Sequence, residues 1–114
     1  MNIQNFEQAI QNTLQRDIEI VSSNNLKVIR KGVLILYSLK EFYMTFVIKT
    51  SKGDTKYYHF PIPYSFTETK KGLVFDYSVE HIHNYRDKII DIVGSLGESK
   101  SVFYDNIVQV QYKR

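Results

Sequence analysis

Apolar and polar positions alternate most regularly between residues 42 and 79, and the rest of the chain is arranged around this stretch. Ten of the sixteen aromatic residues lie here. Residues 42–50, 55–60 and 73–79 repeat with a period of two, which predicts three consecutive antiparallel strands. The alternation assigns to the core face Phe42, Met44, Phe46, Leu73, Phe75, Tyr77 and Val79.

The segments before this stretch extend the predicted sheet. Apolar residues at steps of three and four predict an amphipathic helix over residues 2–15, with Asn2 as its cap. Residues 17–21 alternate as a strand that ends at the turn 22–25. Two apolar runs follow at 26–30 and 33–37, and Lys31-Gly32 between them predicts a tight hairpin, because glycine accepts a positive φ without steric cost. The helical stripe consists of Ile3, Phe6, Ile10 and Leu14.

A second helix and one more strand follow the central stretch. The helix is predicted near residues 84–97, with Asn84 as its cap and Gly97 at its end, and Val108, Val110 and Tyr112 alternate in the strand. The fold class is therefore α+β: a mainly antiparallel sheet of about six to seven strands in a meander, packed by an N-terminal helix and a second helix. The expected order is α-β6-α-β, in a single domain of residues 1–114.

Composition narrows the function classes. The 114 residues include no cysteine, which excludes disulfides, thiolate metal sites and thiol catalysis. No apolar run approaches the ~20 residues of a membrane span, and residues 1–10 lack the basic and apolar regions of a signal peptide, so we expect a cytoplasmic protein without membrane contact. The abundance of Asn, Ile, Lys and Tyr is typical of AT-rich coding sequences and favours a phage or other mobile element as the source.

Candidate catalytic groups are sparse. His81 and His83 would share one face if the preceding strand reached them, and His59 would be a third weak candidate. Asp17 and Glu19 also share a strand face, but nothing in the sequence supplies the rest of a metal or acid–base site. We therefore predict no catalytic residue, no metal site and no cofactor, and a solvated strand face is the simpler interpretation of the carboxylate pair.

Basic residues gather at one end of the predicted sheet, because alternate turns of a meander lie at the same end. Such a cluster, with tyrosine rings nearby, could bind a nucleic-acid backbone, although lysines in turns are also ordinary solvent-facing residues. The net charge of +3 permits an anionic partner without requiring one. The residues are Arg30, Lys31, Lys49, Lys52 and Lys56, with Lys40, Lys70 and Lys71 expected at the opposite end.

Tyrosines and valine mark the second face of the central strands. Tyr43, Val47, Tyr57 and Tyr64 form either a protein interface or, if the sheet closes over them, part of the core. The sequence thus predicts a small non-catalytic binding or regulatory module that engages a protein partner, or a second copy of itself, through this aromatic face. The alternative is a nucleic-acid-binding protein or small nuclease that uses the lysine-bearing turns and the three histidines.

Overall fold

The residues that the structure describes form two helices and eight strands. A computed structural model describes residues 1–22, 27–96, 101–103 and 109–112, and for 89–96 and 101–103 it describes the backbone alone. In chain order the elements are α1 Ile3–Gln11, β1 Asp17–Val21, β2 Val28–Leu39, β3 Tyr43–Lys49, β4 Thr55–Pro61, β5 Ser65–Thr69, β6 Gly72–Asp76, α2 Val79–Leu96, β7 Ser101–Phe103 and β8 Gln109–Tyr112.

All eight strands belong to one sheet, in the order β5-β6-β8-β1-β2-β3-β4-β7. Seven strands are joined by antiparallel pairings, and β7 pairs with β4 in parallel. The predicted α+β fold with an N-terminal helix, a later helix and a mainly antiparallel sheet is confirmed. Two short strands, β5 and β7, were not predicted, and the two strands predicted at 26–30 and 33–37 form the single strand β2, so the observed order is α-β6-α-β2.

The sheet is a meander only from β1 to β4. The three strands predicted within residues 42–79 are not consecutive in space, because β5 and β6 form a hairpin at the far edge, where β6 pairs with β8. Pro61 and Pro63 explain the break, since neither can donate a backbone hydrogen bond to a neighbouring strand. The hairpin closes through Lys70 and Lys71, and its open end is held by Tyr64 N donating to Asp76 O over 2.7 Å.

One continuous strand replaces the predicted hairpin at Lys31-Gly32. Gly32 lies inside β2, opposite Ile18 of β1. A Cβ at this position would stand 2.6 Å from the carbonyl oxygen of Lys49 and 2.5 Å from Ile48 Cγ2. The glycine is therefore explained by close contact with the end of β3, and not by a turn.

The second helix begins earlier than the sequence indicated. Ser78 Oγ accepts a hydrogen bond from His81 N at 3.1 Å, so Ser78 and not Asn84 provides the cap. Val79 consequently lies in the first turn of α2 and is 69% exposed, so its assignment to the core is wrong. The predicted helix end at Gly97, the strand position Val108 and most of the turn 22–25 lie outside the described residues.

The core lies between α1 and one face of the sheet. Asn2 caps α1 as predicted, with its Oδ1 accepting from Gln4 N and Asn5 N at 2.9 and 3.1 Å. The helix ends at Gln11, before the predicted 2–15 boundary. Its buried residue Phe6 contacts the rings of Phe66 and Phe75, with centroids 5.2 and 5.6 Å away. The other buried core residues are Ala9, Ile10, Ile18, Ile20, Leu34, Met44, Phe46, Ile48, Tyr58, Phe60, Leu73, Phe75 and Val110.

Candidate functional site

The candidate site is a groove that forms because β2 extends past the end of β3. Residues 28–33 of β2 pair with β1, and residues 33–39 pair with β3, so only Val33 has a partner on both sides. Along residues 28–32, β2 has β1 on one side, and on its other side it faces the turn between β3 and β4. An open depression of about 470 Å³ lies between the two.

The predicted basic residues line this depression and a second one of about 330 Å³ next to it. Both depressions include Lys31, Thr50 and Ser51, so we treat them as one feature, the basic groove. Asp17 and Asp54 also line it, which leaves an excess of positive charge. The basic side chains brought together are Arg30, Lys31, Lys52 and Lys56 in the larger depression, and Lys31 and Lys49 in the smaller one.

Two buried polar atoms in the lining lack a hydrogen-bond partner among the described residues. They are Arg30 Nε and Thr50 Oγ1, and both residues belong to the larger depression. The Arg30 guanidinium lies 5.5 Å from the centre of the Tyr58 ring, which is fully buried. An unpaired buried donor costs about 1–3 kcal/mol, but both atoms are covered, so it is the excess of basic side chains in the lining that attracts an anion. The groove is therefore suited to an anion.

The three histidines do not converge. His59 lies on β4 and is 2% exposed, whereas His81 and His83 lie on α2. Residues two positions apart on a helix are rotated by about 200° around its axis. His81 and His83 therefore do not share the face that was expected for them on a strand. Across the part of the chain that the structure describes, there is no cluster of three His, Cys, Asp or Glu residues that could hold a metal ion.

His59 is instead part of the packing between α2 and β4. Its Nδ1 is hydrogen-bonded to Thr45 Oγ1 at 2.8 Å, and its backbone carbonyl accepts from the Tyr85 hydroxyl at 3.1 Å. Burial lowers the pKa of His59, because the charged imidazolium is poorly solvated there. The ring of Tyr43 contacts His59 edge-on at 5.9 Å. The Tyr85 hydroxyl thus joins α2 to the backbone of β4, while the His59 side chain bonds to β3 within the sheet.

The predicted aromatic surface is divided between several environments. Val47 is only 6% exposed and Tyr43 is half-buried against His59, while Tyr57 is 39% exposed. Tyr64 is 62% exposed and lies after the end of β4, beside His81 in the first turn of α2. Tyr57 lies near the other end of β4. The four residues do not form one continuous face.

An exposed leucine that the sequence did not indicate adjoins this region. Leu36 lies opposite Val47 on the neighbouring strand, Val47 lies opposite Tyr57, and Leu36 is 61% exposed. The run 33–37 suggested a strand covered on both faces, but the register shift between Leu34 and Leu36 turns Leu36 to the open face. We call the exposed pair of Leu36 and Tyr57, with Val47 between them, the Leu36–Tyr57 patch.

Comparison with protein-family models, with curated proteins and with solved structures found no match to this chain. Neither α1 nor the described length of α2 has the apolar character needed to cross a membrane. The geometry of the groove and of the patch is therefore the basis for a functional proposal.

Proposed function

We propose that this chain is a non-catalytic binding module that holds an anionic polymer in the basic groove. The observation that carries the proposal is that Arg30, Lys31, Lys49, Lys52 and Lys56 line two adjoining depressions at one end of the sheet. Five cationic side chains against two carboxylates give a local field that attracts anions and raises their rate of association.

The shape of the groove favours a polymer over a small anion. Both depressions are open, and they follow the turn between β3 and β4 from one side of the sheet to the other. A compact anion would contact only a few of the basic groups, whereas a chain of phosphates or sulfates can contact Arg30 at one end and Lys49 at the other. Binding of this kind depends on counterion release and weakens steeply with salt.

Charge reversal tests this proposal. The probe is inorganic polyphosphate, and the variant is Lys49→Glu/Lys52→Glu/Lys56→Glu. We expect its affinity to fall by at least about tenfold at low salt, and the dependence of affinity on salt to become shallower. The measurement is isothermal titration at two or more salt concentrations.

A matched control separates the groove from general charge. Lys40→Glu/Lys70→Glu/Lys71→Glu makes the same change in net charge at exposed positions outside the groove. We expect this control to lose far less affinity than the groove variant. Equal losses in the two triple variants would reject the groove as the binding site.

Association with a protein, or with a second copy of the chain, is the second candidate function. It is favoured by the 61% exposure of Leu36 beside Tyr57, because exposed apolar side chains in the middle of a sheet are typical of interfaces. Light scattering of the wild-type protein and of Leu36→Ser tests it. A dimer that dissociates in the variant supports self-association, and a monomer in both excludes it.

A further inference from the structure

We infer that the anionic polymer is single-stranded nucleic acid, whose phosphates lie in the basic groove while a base stacks on the Leu36–Tyr57 patch. This inference rests on the proposed function and names the ligand class of the same site. It follows from the contiguity of two features that differ in chemistry: a positively charged groove and an exposed aromatic and aliphatic surface.

The spacing of the two features comes from the strands themselves. Lys49 and Val47 are two residues apart on β3 and therefore on the same face, about 7 Å from each other along the strand. The register continues across β4, where Thr55 is opposite Lys49 and Tyr57 is opposite Val47. A phosphate on Lys49 would therefore place the next nucleotide of an extended strand within reach of the Tyr57 ring.

The patch has the chemistry of a stacking platform. Tyr57 offers part of an aromatic ring from β4, which pairs with β3 on one side and β7 on the other, and Leu36 offers an aliphatic side chain from the part of β2 that pairs with β3. Every base has a π-face, so stacking of this kind tolerates any sequence. The positive groove next to it supplies the backbone contacts that single-stranded nucleic-acid sites combine with such platforms.

Charge on the neighbouring strand sets the direction of the path. Asp17 borders the smaller depression, and Glu19 lies opposite Lys31 on β1. These carboxylates repel a phosphate chain from the β1 side. The path away from them runs along β3 toward the Leu36–Tyr57 patch, and in the other direction around the turn toward Lys52, Lys56 and Arg30.

A duplex fits the two features poorly. Its bases are paired and stacked inside the helix, so a duplex can offer phosphates to the basic groove but no free base face to Tyr57. The inference therefore predicts a preference for single strands, and that preference distinguishes it from a purely electrostatic site.

The first experiment compares three probes by fluorescence anisotropy. They are oligo(dT) of about 12 nucleotides, an abasic strand of the same length and a duplex of that length, chosen within the ~4–16 nucleotides that small sheet domains bind. We expect oligo(dT) to bind about tenfold more tightly than the abasic strand, because only oligo(dT) has bases to stack. Equal affinity for both strands, or a preference for the duplex, would overturn the inference.

The second experiment changes the ring. Tyr57→Ala should weaken oligo(dT) binding by about tenfold without altering the salt dependence, because no phosphate contact is removed. Tyr57→Phe keeps the ring and should bind as the wild type does. Tyr64→Ala removes a more exposed tyrosine, which lies outside the patch beside His81 of α2, and should have no effect.

The outcomes separate this inference from the proposed function. If polyphosphate and the abasic strand bind in the groove but Tyr57→Ala leaves oligo(dT) affinity unchanged, the groove stands and the base platform is rejected. If charge reversal in the groove affects no probe, the proposed function fails as well. If Tyr57→Ala dissociates a dimer while oligo(dT) affinity is unchanged, the patch is a protein interface and the inference is wrong.

Discussion

The two faces of the sheet use the same strands in different ways. On one face, α1 lies over the strands, and Phe6 joins a continuous group of buried apolar side chains from β1, β2, β3, β4, β6 and β8. On the other face, α2 packs against β4 and buries Thr45 and His59. Beyond it lie Leu36 and Tyr57, which are exposed.

This difference separates the face that supplies the stability of the fold from the face on which we propose binding. The face under α1 excludes water and carries the large aromatic side chains, so it supplies the hydrophobic free energy of folding. The opposite face carries lysines and carboxylates, and contributes less apolar burial. A surface that is not needed for the core is free to bind a ligand.

The largest expected effect comes from removing the aromatic centre of the closed face. Phe6→Ala deletes a fully buried ring that contacts Phe66 and Phe75, so we expect a loss of about 3–5 kcal/mol in the free energy of unfolding. Denaturant titration measures it. Ile3→Ala, on the same helix but half exposed, should cost less than about 1 kcal/mol. Similar losses at both positions would contradict the assignment of α1 to the core.

A smaller effect is expected within the opposite face, at two residues that are neighbours across strands. Val47 is buried and Leu36 is exposed, although they lie opposite each other. Val47→Ala should cost about 2 kcal/mol, and Leu36→Ala no more than about 0.5 kcal/mol. The measurement is again denaturant titration. If Leu36→Ala proved as destabilising as Val47→Ala, the patch would be part of the core and not a free surface.

The smallest expected effect is a pH dependence of the free energy of unfolding that arises from His59, which is buried where α2 packs on the sheet. Burial holds the pKa of His59 below the ordinary value of about 6.5, so the unfolded chain takes up this proton at a higher pH than the folded protein. The stability that depends on neutral His59 is present above about pH 6.5 and is lost as the pH falls from there toward the folded pKa. The slope for one proton cannot exceed about 1.4 kcal/mol per pH unit.

The matched variants for this pH effect are at two histidines. His59→Gln should flatten the dependence of unfolding free energy on pH between about pH 7 and 5.5, where few carboxylates titrate. His83→Gln changes an exposed residue on α2 and should leave the slope unchanged. An unchanged slope in His59→Gln would show that the charge of His59 is not linked to folding.

Local patterns in the sequence predicted most elements but not their order in space. The strands at residues 43–49 and 72–76 could be predicted because successive side chains of a strand point to opposite faces, and the cap at Asn2 could be predicted because it depends on neighbouring backbone atoms. The pairing of β6 with β8 depends on contacts between segments far apart in the chain, which no local pattern encodes. The glycine at position 32 was misread because its close contact with Lys49 is likewise non-local.

The candidate site was predictable to a different degree. The basic residues were expected together because alternate turns of a meander share an end, but Arg30 and Lys31 reach the groove from inside β2 and not from the predicted turn. The unpaired Thr50 hydroxyl could not be predicted, because it depends on where β3 ends. The exposure of Leu36 could not be predicted either, because it depends on a one-residue shift in register. His81 and His83 were expected at the end of a strand, but the helix that Ser78 caps begins before them and includes both.

The position of β8 has a consequence for synthesis on the ribosome. This strand is the last of the eight to be made, yet it lies between β1 and β6 and is the only strand that joins the β5–β6 hairpin to the other described strands. While the nascent chain grows, β1 to β4 can pair in turn as each one emerges, but the hairpin must wait with unpaired edges. The chain therefore depends on late, long-range closure, the step at which folding is slowest and exposed strand edges are most open to misassociation.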